Sequence, residues 1–317
     1  MVNQGSKFIV LGILTILPLF VFPAGNVQIP KDSFWISVKD TQRILLNLNY
    51  DPIGLPETYS SDIFTQVCET GECKPVRIKL FWDLMGQYLH YEMPDGAILT
   101  KLDHVPFNEN DYIKFGIILS SSQSMLEDFD ITLLPGSREK ASLAQIDGIT
   151  GATPKSISSD IVDGAVYTCH TIWHLAHGAV QDSIALLTLD IADKDLMMHL
   201  LNHPNDDYQR WCIDHVFLEY PKEREFLNLI FSKINNENIF IAKHILRQLP
   251  EAILAQDWVQ QVVWMKYGEL PYSLQILTLR RFQAILLSSS LESKISGYKN
   301  SANFEQSKLL DQIRFKK

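Results

Sequence analysis

Residues 76–93, VRIKLFWDLMGQYLHYEM, decide what kind of core this chain builds. They divide at Gly86 into two runs rich in β-branched and aromatic residues, the composition that suits a pleated, half-buried surface. A third run of the same character, YIKFGIIL at 112–119, follows the turn formers Pro94-Asp95-Gly96 and the NEND stretch at 108–111. Together they predict a small sheet. FDITLL at 129–134 adds a strand-like piece, and the connection PGSREKASLAQ leads away from it.

Downstream the period changes. Ile161, Val162, Ala165, Val166, Cys169, Ile172, Trp173 and Ala176 fall at the spacing of a helix with one buried face, and Gly178 is a natural stop. From Gln181 to Ser296 nearly everything is helical in pattern, cut by HPNDD, Tyr220-Pro221, NNEN, Leu249-Pro250 and GELPYS. These pieces recur about every 15 residues without a shared signature, which predicts a HEAT-like stack of short antiparallel helices, with an irregular bundle as the competing arrangement. The last stretch, from Gly297, reads as a final helix or a loose tail. The expected fold class is therefore α+β: a small α+β domain over 26–180 and an all-α helical domain over 181–317.

Lys7 precedes an uncharged, mostly apolar run, FIVLGILTILPLFVFPAG, broken by Pro18 and ending in small residues. A spanning helix needs about 20 apolar residues. Residues 1–25 thus fit a cleavable export signal better than an anchor, although an uncleaved anchor with membrane association is the alternative. The chain carries a formal charge of −9 and no basic block beyond Arg314-Phe315-Lys316-Lys317, so the electrostatic basis for binding nucleic acid is missing. Four cysteines are too few to be the scaffold of 317 residues. Cys68 and Cys73, in CETGEC, fit a small disulfide-closed loop, two free thiols or half a metal site. Cys169 and Cys212 fall in helical patterns, as small buried residues do.

Between the two periodic regions lies DGITGATPKSISSD, residues 147–160. Asp147-Gly148-Ile149-Thr150-Gly151-Ala152-Thr153 resembles the Asp-x-x-(Ser/Thr)-Gly-Ala-Thr signature of flavinylated FMN-binding domains, such as the C subunit of sodium-translocating NADH:quinone reductase and the G subunit of Rnf-type complexes. The resemblance covers about residues 76–178 and leaves the helical half outside it. It implies FMN joined through its phosphate to Thr153 by a flavin transferase, outside the cytoplasmic membrane. It also implies an electron-transfer role with a redox protein or membrane electron-transport complex as partner. The Glu-Thr-Pro-Gly segment that many members carry upstream does not occur.

The physical reading of the same residues is compatible. Pro154 biases Thr153 toward extended backbone and suits the first helical position, so Thr153 is a candidate N-cap whose hydroxyl faces unpaired amides. Gly151 and Ala152 leave room for a phosphate, and Lys155 and Ser156 offer further donors. An unmodified cap in a loop is the alternative. Trp82, Tyr88, Tyr91 and Trp173 are candidate aromatics for the flavin ring, and Lys101, Asp103 and His104 candidate partners for its edge. Plain core packing and a surface turn explain these residues equally. His170, His174 and His177 share one helix strip, the look of a metal face, yet no Cys-x-x-Cys-His or His-Glu-x-x-His occurs, and a polar helix edge packed on its neighbour is the competing reading. No P-loop, Gly-x-Gly-x-x-Gly or Gly-x-Ser-x-Gly occurs either, which argues for an electron carrier rather than a self-sufficient enzyme. The rival function is an exported helical-repeat interaction protein without flavin.

Overall fold

The computed structural model describes residues 32–38, 42–68, 73–101, 104–129 and 159–316. It is an α+β protein in which a five-stranded antiparallel sheet is followed by a succession of helices. The strands are β1 (Ser33–Ser37), β2 (Arg43–Tyr50), β3 (Pro56–Thr65), β4 (Val76–Asp83) and β5 (Tyr88–Glu92), paired in chain order as a meander. Alternation sorts their side chains onto two faces. Ile36, Ile44, Leu46, Leu48, Tyr59, Ile63, Ile78, Leu80 and Trp82 are buried on one. Trp35, Arg43, Phe64 and Arg77 are exposed on the other.

Two of the connections use one local device. In Asp51-Pro52-Ile53-Gly54-Leu55 the Asp51 carboxylate accepts the amides of Ile53 and Leu55, at 3.0 and 2.8 Å. In Asp83-Leu84-Met85-Gly86-Gln87 the Asp83 carboxylate accepts those of Met85 and Gln87, both at 2.8 Å. The glycine stands at positive φ each time, +89° at Gly54 and +79° at Gly86. The turn is the same, but its surroundings differ: a Cβ on Gly54 meets nothing within 4 Å, whereas one on Gly86 falls 2.6 Å from the backbone oxygen of Gln181. The third connection is closed by a Cys68–Cys73 disulfide, so the first of the three readings for that pair holds.

The run at 112–119 is not a strand. It lies within α1 (Glu109–Ser120), opened by a capping box in which the Asn108 side chain accepts the Asp111 amide while the Asp111 carboxylate accepts the Asn108 amide. The residues expected to form a turn are a helix start. Phe115, Ile118 and Leu119 then bury one helical face, overriding the β-propensity of the isoleucines. The next described helix, α2 (Val166–His177), begins later than the periodicity suggests. Gly164 at φ +75° breaks the run from Ile161, and Ala165 is the cap residue, so Thr153 does not cap this helix.

The remaining α-helices among the described residues are α3 (Ala179–Ile191), α4 (Lys194–Asn202), α5 (Asp206–Glu219), α6 (Arg224–Ser232), α7 (Ile239–Gln248), α8 (Glu251–Leu254), α9 (Asp257–Tyr267), α10 (Tyr272–Gln283), α11 (Ser289–Tyr298) and α12 (Phe304–Leu310). The breaks fall where Pro, Asn and Gly cluster: Asn205 caps α5, Asn238 caps α7, and Pro250 and Pro271 precede α8 and α10. Asn238 donates to Asp206 (2.7 Å) and His244 pairs with Asp214 (2.8 Å), so α5 and α7 lie side by side in the same direction. The C-terminal stretch is tied down. Gln306 donates to Gln275, Tyr267 and Tyr298, and β7 (Arg314–Phe315) pairs in parallel with β6 (Leu286–Leu287).

Sheet and helices share one core. The Trp82 indole donates to the carbonyl of Ala176 in α2 (2.8 Å), and the Thr188 hydroxyl in α3 donates to that of Leu84 (2.6 Å). The Leu84 amide donates to the Tyr208 hydroxyl in α5 (3.4 Å). Helices on both sides of residue 180 thus pack on the same sheet face. Among the described residues no helix is long and apolar enough to cross a membrane.

Candidate functional site

Asp147, Thr150, Gly151, Ala152, Thr153, Lys155 and Ser156 all lie outside the described residues, as do residues 1–31. What the structure supplies is the ground on which their segment leaves and returns. Among the described residues nearest to them, Phe129 is held by His170 of α2, and Asp160 by Ser124 and Met125 in the turn after α1.

The strip of histidines on α2 does this holding. His170 Nε2 bonds to the Phe129 carbonyl (2.7 Å), His174 Nε2 to that of Leu126 (3.0 Å) and His177 Nε2 to that of Leu119 (2.7 Å). The Trp173 indole donates to the Ser121 carbonyl at 2.8 Å. A carbonyl only accepts, so each imidazole carries its proton on Nε2. Four ring N–H groups spaced along one helix face therefore bond to carbonyls at the end of α1 and in the turn after it; that of Leu126 also accepts the Phe129 amide. The strip is used as a polar helix edge packed on a neighbour. Among the described residues no group of three His, Cys, Asp or Glu side chains is arranged to hold a metal ion.

On the returning side, the Asp160 carboxylate accepts the hydroxyl of Ser124 (2.7 Å), the amide of Met125 (2.8 Å) and the hydroxyl of Ser159 (2.7 Å). Partial burial pulls its pKa upward, but these three bonds together outweigh burial and hold it below the ordinary carboxylate range. Sequence reasoning passed over Asp160. Its one signal is a carboxylate beside a serine, and the partners that give it meaning lie 35 and 36 residues away.

The other sequence candidates scatter. Trp82 is fully buried and Trp173 nearly so, both with their indole N–H satisfied inside the core. Tyr88 and Tyr91 are half-buried on the inner sheet face, against His177 and Phe115. Lys101 Nζ pairs with Asp111 (2.8 Å), the bond that most strongly lowers the Asp111 pKa. The stem of Lys101 lies against Gly164, which brings it to the start of α2. Asp103 lies outside the described residues, and His104 is exposed at φ +62°. Cys169 is a buried thiol pushed up to about 12 by desolvation, inert as a nucleophile. Val67, Cys73, Thr100, Lys101, Gly164 and Thr168 line a recess of about 10 Å3 at this end of α2. It has room for about one water, and of the ring and edge candidates Lys101 alone lines it among the described residues.

The histidine strip predicts a pH response. His177 Nδ1 is buried without a hydrogen-bond partner among the described residues, and burial lowers the pKa of this ring. Protonation is then easier in the unfolded chain than in the folded one. Stability is at its full value above the ordinary histidine pKa of about 6.5 and falls as pH drops below it toward the depressed folded value. Urea unfolding at about pH 7.5 and about pH 5.5 is expected to show a larger loss for the native chain than for His177→Gln, whose amide keeps a donor but does not titrate.

No protein-family model, curated protein or solved structure matches this chain.

Proposed function

We propose that this protein is an extracytoplasmic electron-transfer flavoprotein carrying FMN on Thr153. The observation that carries the reading is the Asp147–Thr153 signature, which combines a hydroxyl nucleophile with the small residues Gly151 and Ala152 and is followed by the donors Lys155 and Ser156. The apolar run after Lys7 supports it, since such attachment takes place outside the cytoplasm in the domains it resembles. Phe129 is bonded to His170 of α2, and Asp160 to Ser124 and Met125 after α1, so the described residues flanking the signature segment lie on one side of the α1–α2 pair. Seven peptide steps separate Thr153 from Asp160, so Thr153 is within about 25 Å of that residue along the chain. In this reading the side-by-side helices α5 and α7 are part of a HEAT-like stack on which a redox partner or membrane complex docks.

The test is a mass and absorbance measurement. Full-length protein co-expressed with a flavin transferase and exported is expected to stay yellow after denaturation and to gain the mass of FMN less water. That balance is the threonine hydroxyl hydrogen and one phosphate hydroxyl leaving as the ester forms. Thr153→Ala is expected to abolish the gain. Apoprotein mass under these conditions would leave the flavin-free interaction protein as the reading, and flavin retained by Thr153→Ala would move the attachment elsewhere.

A further inference from the structure

Where the first three strands meet the junction of α3 and α4, the described residues enclose a cleft of about 230 Å3. Leu48 and Leu196, both buried, form its floor, and Phe34 and Tyr50 line it as aromatic walls. Phe34 is held edge-on to Tyr59, with ring centroids 6.5 Å apart. Two carboxylates reach the cleft from separate elements, Asp32 ahead of β1 and Asp193 ahead of α4. Asp32 is hydrogen-bonded to the Tyr50 side chain, and Asp193 Oδ1 accepts the Leu196 amide at 2.9 Å. A carboxylate has about four acceptor positions, so each retains capacity for another donor. No lysine or arginine lines the cleft among the described residues. Lys194, beside Asp193 in sequence, is turned to Glu225 at 2.6 Å.

We propose that this cleft binds a small organic cation with an apolar body. The cationic head sits between Asp32 and Asp193, the rings of Phe34 and Tyr50 add cation–π attraction, and Leu48 and Leu196 receive the hydrocarbon. The volume lies below the range of about 300–1,000 Å3 usual for drug-sized ligands, which limits the occupant to a short chain or single ring. The charge of −9 on the whole protein favours approach of a cation. The opposing influence is the N-terminus of α4, whose amides attract anions, and Asp193 caps it.

Hexyltrimethylammonium and hexanoate, matched in tail and opposite in charge, separate the two influences. Titration into full-length protein, followed by amide chemical shifts, is expected to give saturable changes at Gly54, Ile191 and Leu196 with the ammonium and far smaller ones with the carboxylate. Asp32→Asn and Asp193→Asn are each expected to weaken binding by up to about fivefold, the range of one partly exposed ion pair. Asparagine also caps helices, so α4 is retained in the second variant, and an unchanged thermal midpoint verifies the fold. Absence of saturable shifts, equal binding of hexanoate at the same amides, or undiminished binding by the double variant would each overturn the proposal.

Discussion

Gly86→Ala is expected to destabilise the protein by about 2–5 kcal/mol, while Gly54→Ala, the same change in the same turn, costs only about 1–2. Both glycines stand at positive φ, where an L side chain is strained. At Gly54 that strain is the whole cost, because the new methyl points into open space. At Gly86 the methyl also falls 2.6 Å from the Gln181 oxygen, and backbone cannot turn aside as a side chain does. Relief requires α3 to move off the hairpin, loosening the Thr188 bond to Leu84. Against a typical stability of about 5–15 kcal/mol, this is a large fraction of what holds a domain together. Parallel urea titrations of the two variants measure the difference directly. Equal losses would mean that α3 does not approach the turn so closely in solution.

A chain ending at residue 180 is expected not to fold as a soluble unit. It keeps the strands, α1 and α2, but it removes Ile184 and Thr188 of α3, Leu196 and Met197 of α4, and Tyr208 and Cys212 of α5, all buried in the shared core. Burial of one large apolar side chain contributes about 1.5–3 kcal/mol, so the loss is on the order of 10 kcal/mol, comparable to the whole stability of a domain. The truncated chain is expected in the insoluble fraction, or soluble with strong binding of a hydrophobic dye. A soluble, cooperatively unfolding 26–180 fragment would show instead that the sheet and α2 are sufficient alone, as the change of period after Gly178 suggests.

Much of the helical half was legible because helix ends are written locally. Asn205, Asn238, Pro250 and Pro271 each act on the few amides next to them. The strands at 76–93 were legible through their β-branched and aromatic composition, whereas 33–65 went unread. There the outward positions mix Ser, Asn and Thr with Trp35, Leu45 and Phe64, which blurs the alternation, and the signal that pairs β2 with β3 is the Asp-x-x-Gly turn, noticed only when it is seen twice. YIKFGIIL misled because composition was weighed ahead of the capping residues Asn108 and Asp111. At the candidate site the motif was readable, but the work of the histidines was not. Their partners are main-chain carbonyls 41 to 58 residues away, and a carbonyl leaves no trace in the identity of its residue.

The meander has a consequence for how the chain is made. Every strand pairs with its neighbour in sequence, so the sheet assembles hairpin by hairpin as soon as residue 92 is free, with little loop-closure entropy to overcome. Its inner face is another matter, because α2, α3 and α5 that cover it end only at residue 219. At ordinary rates of synthesis the intervening chain takes on the order of ten seconds to appear. Through that interval the apolar faces of Tyr59, Leu80 and Trp82 lack the helices that bury them, so the paired strands are not yet a stable unit. Slowing elongation between residues 92 and 219 should therefore lower the yield of folded protein more than slowing it afterwards.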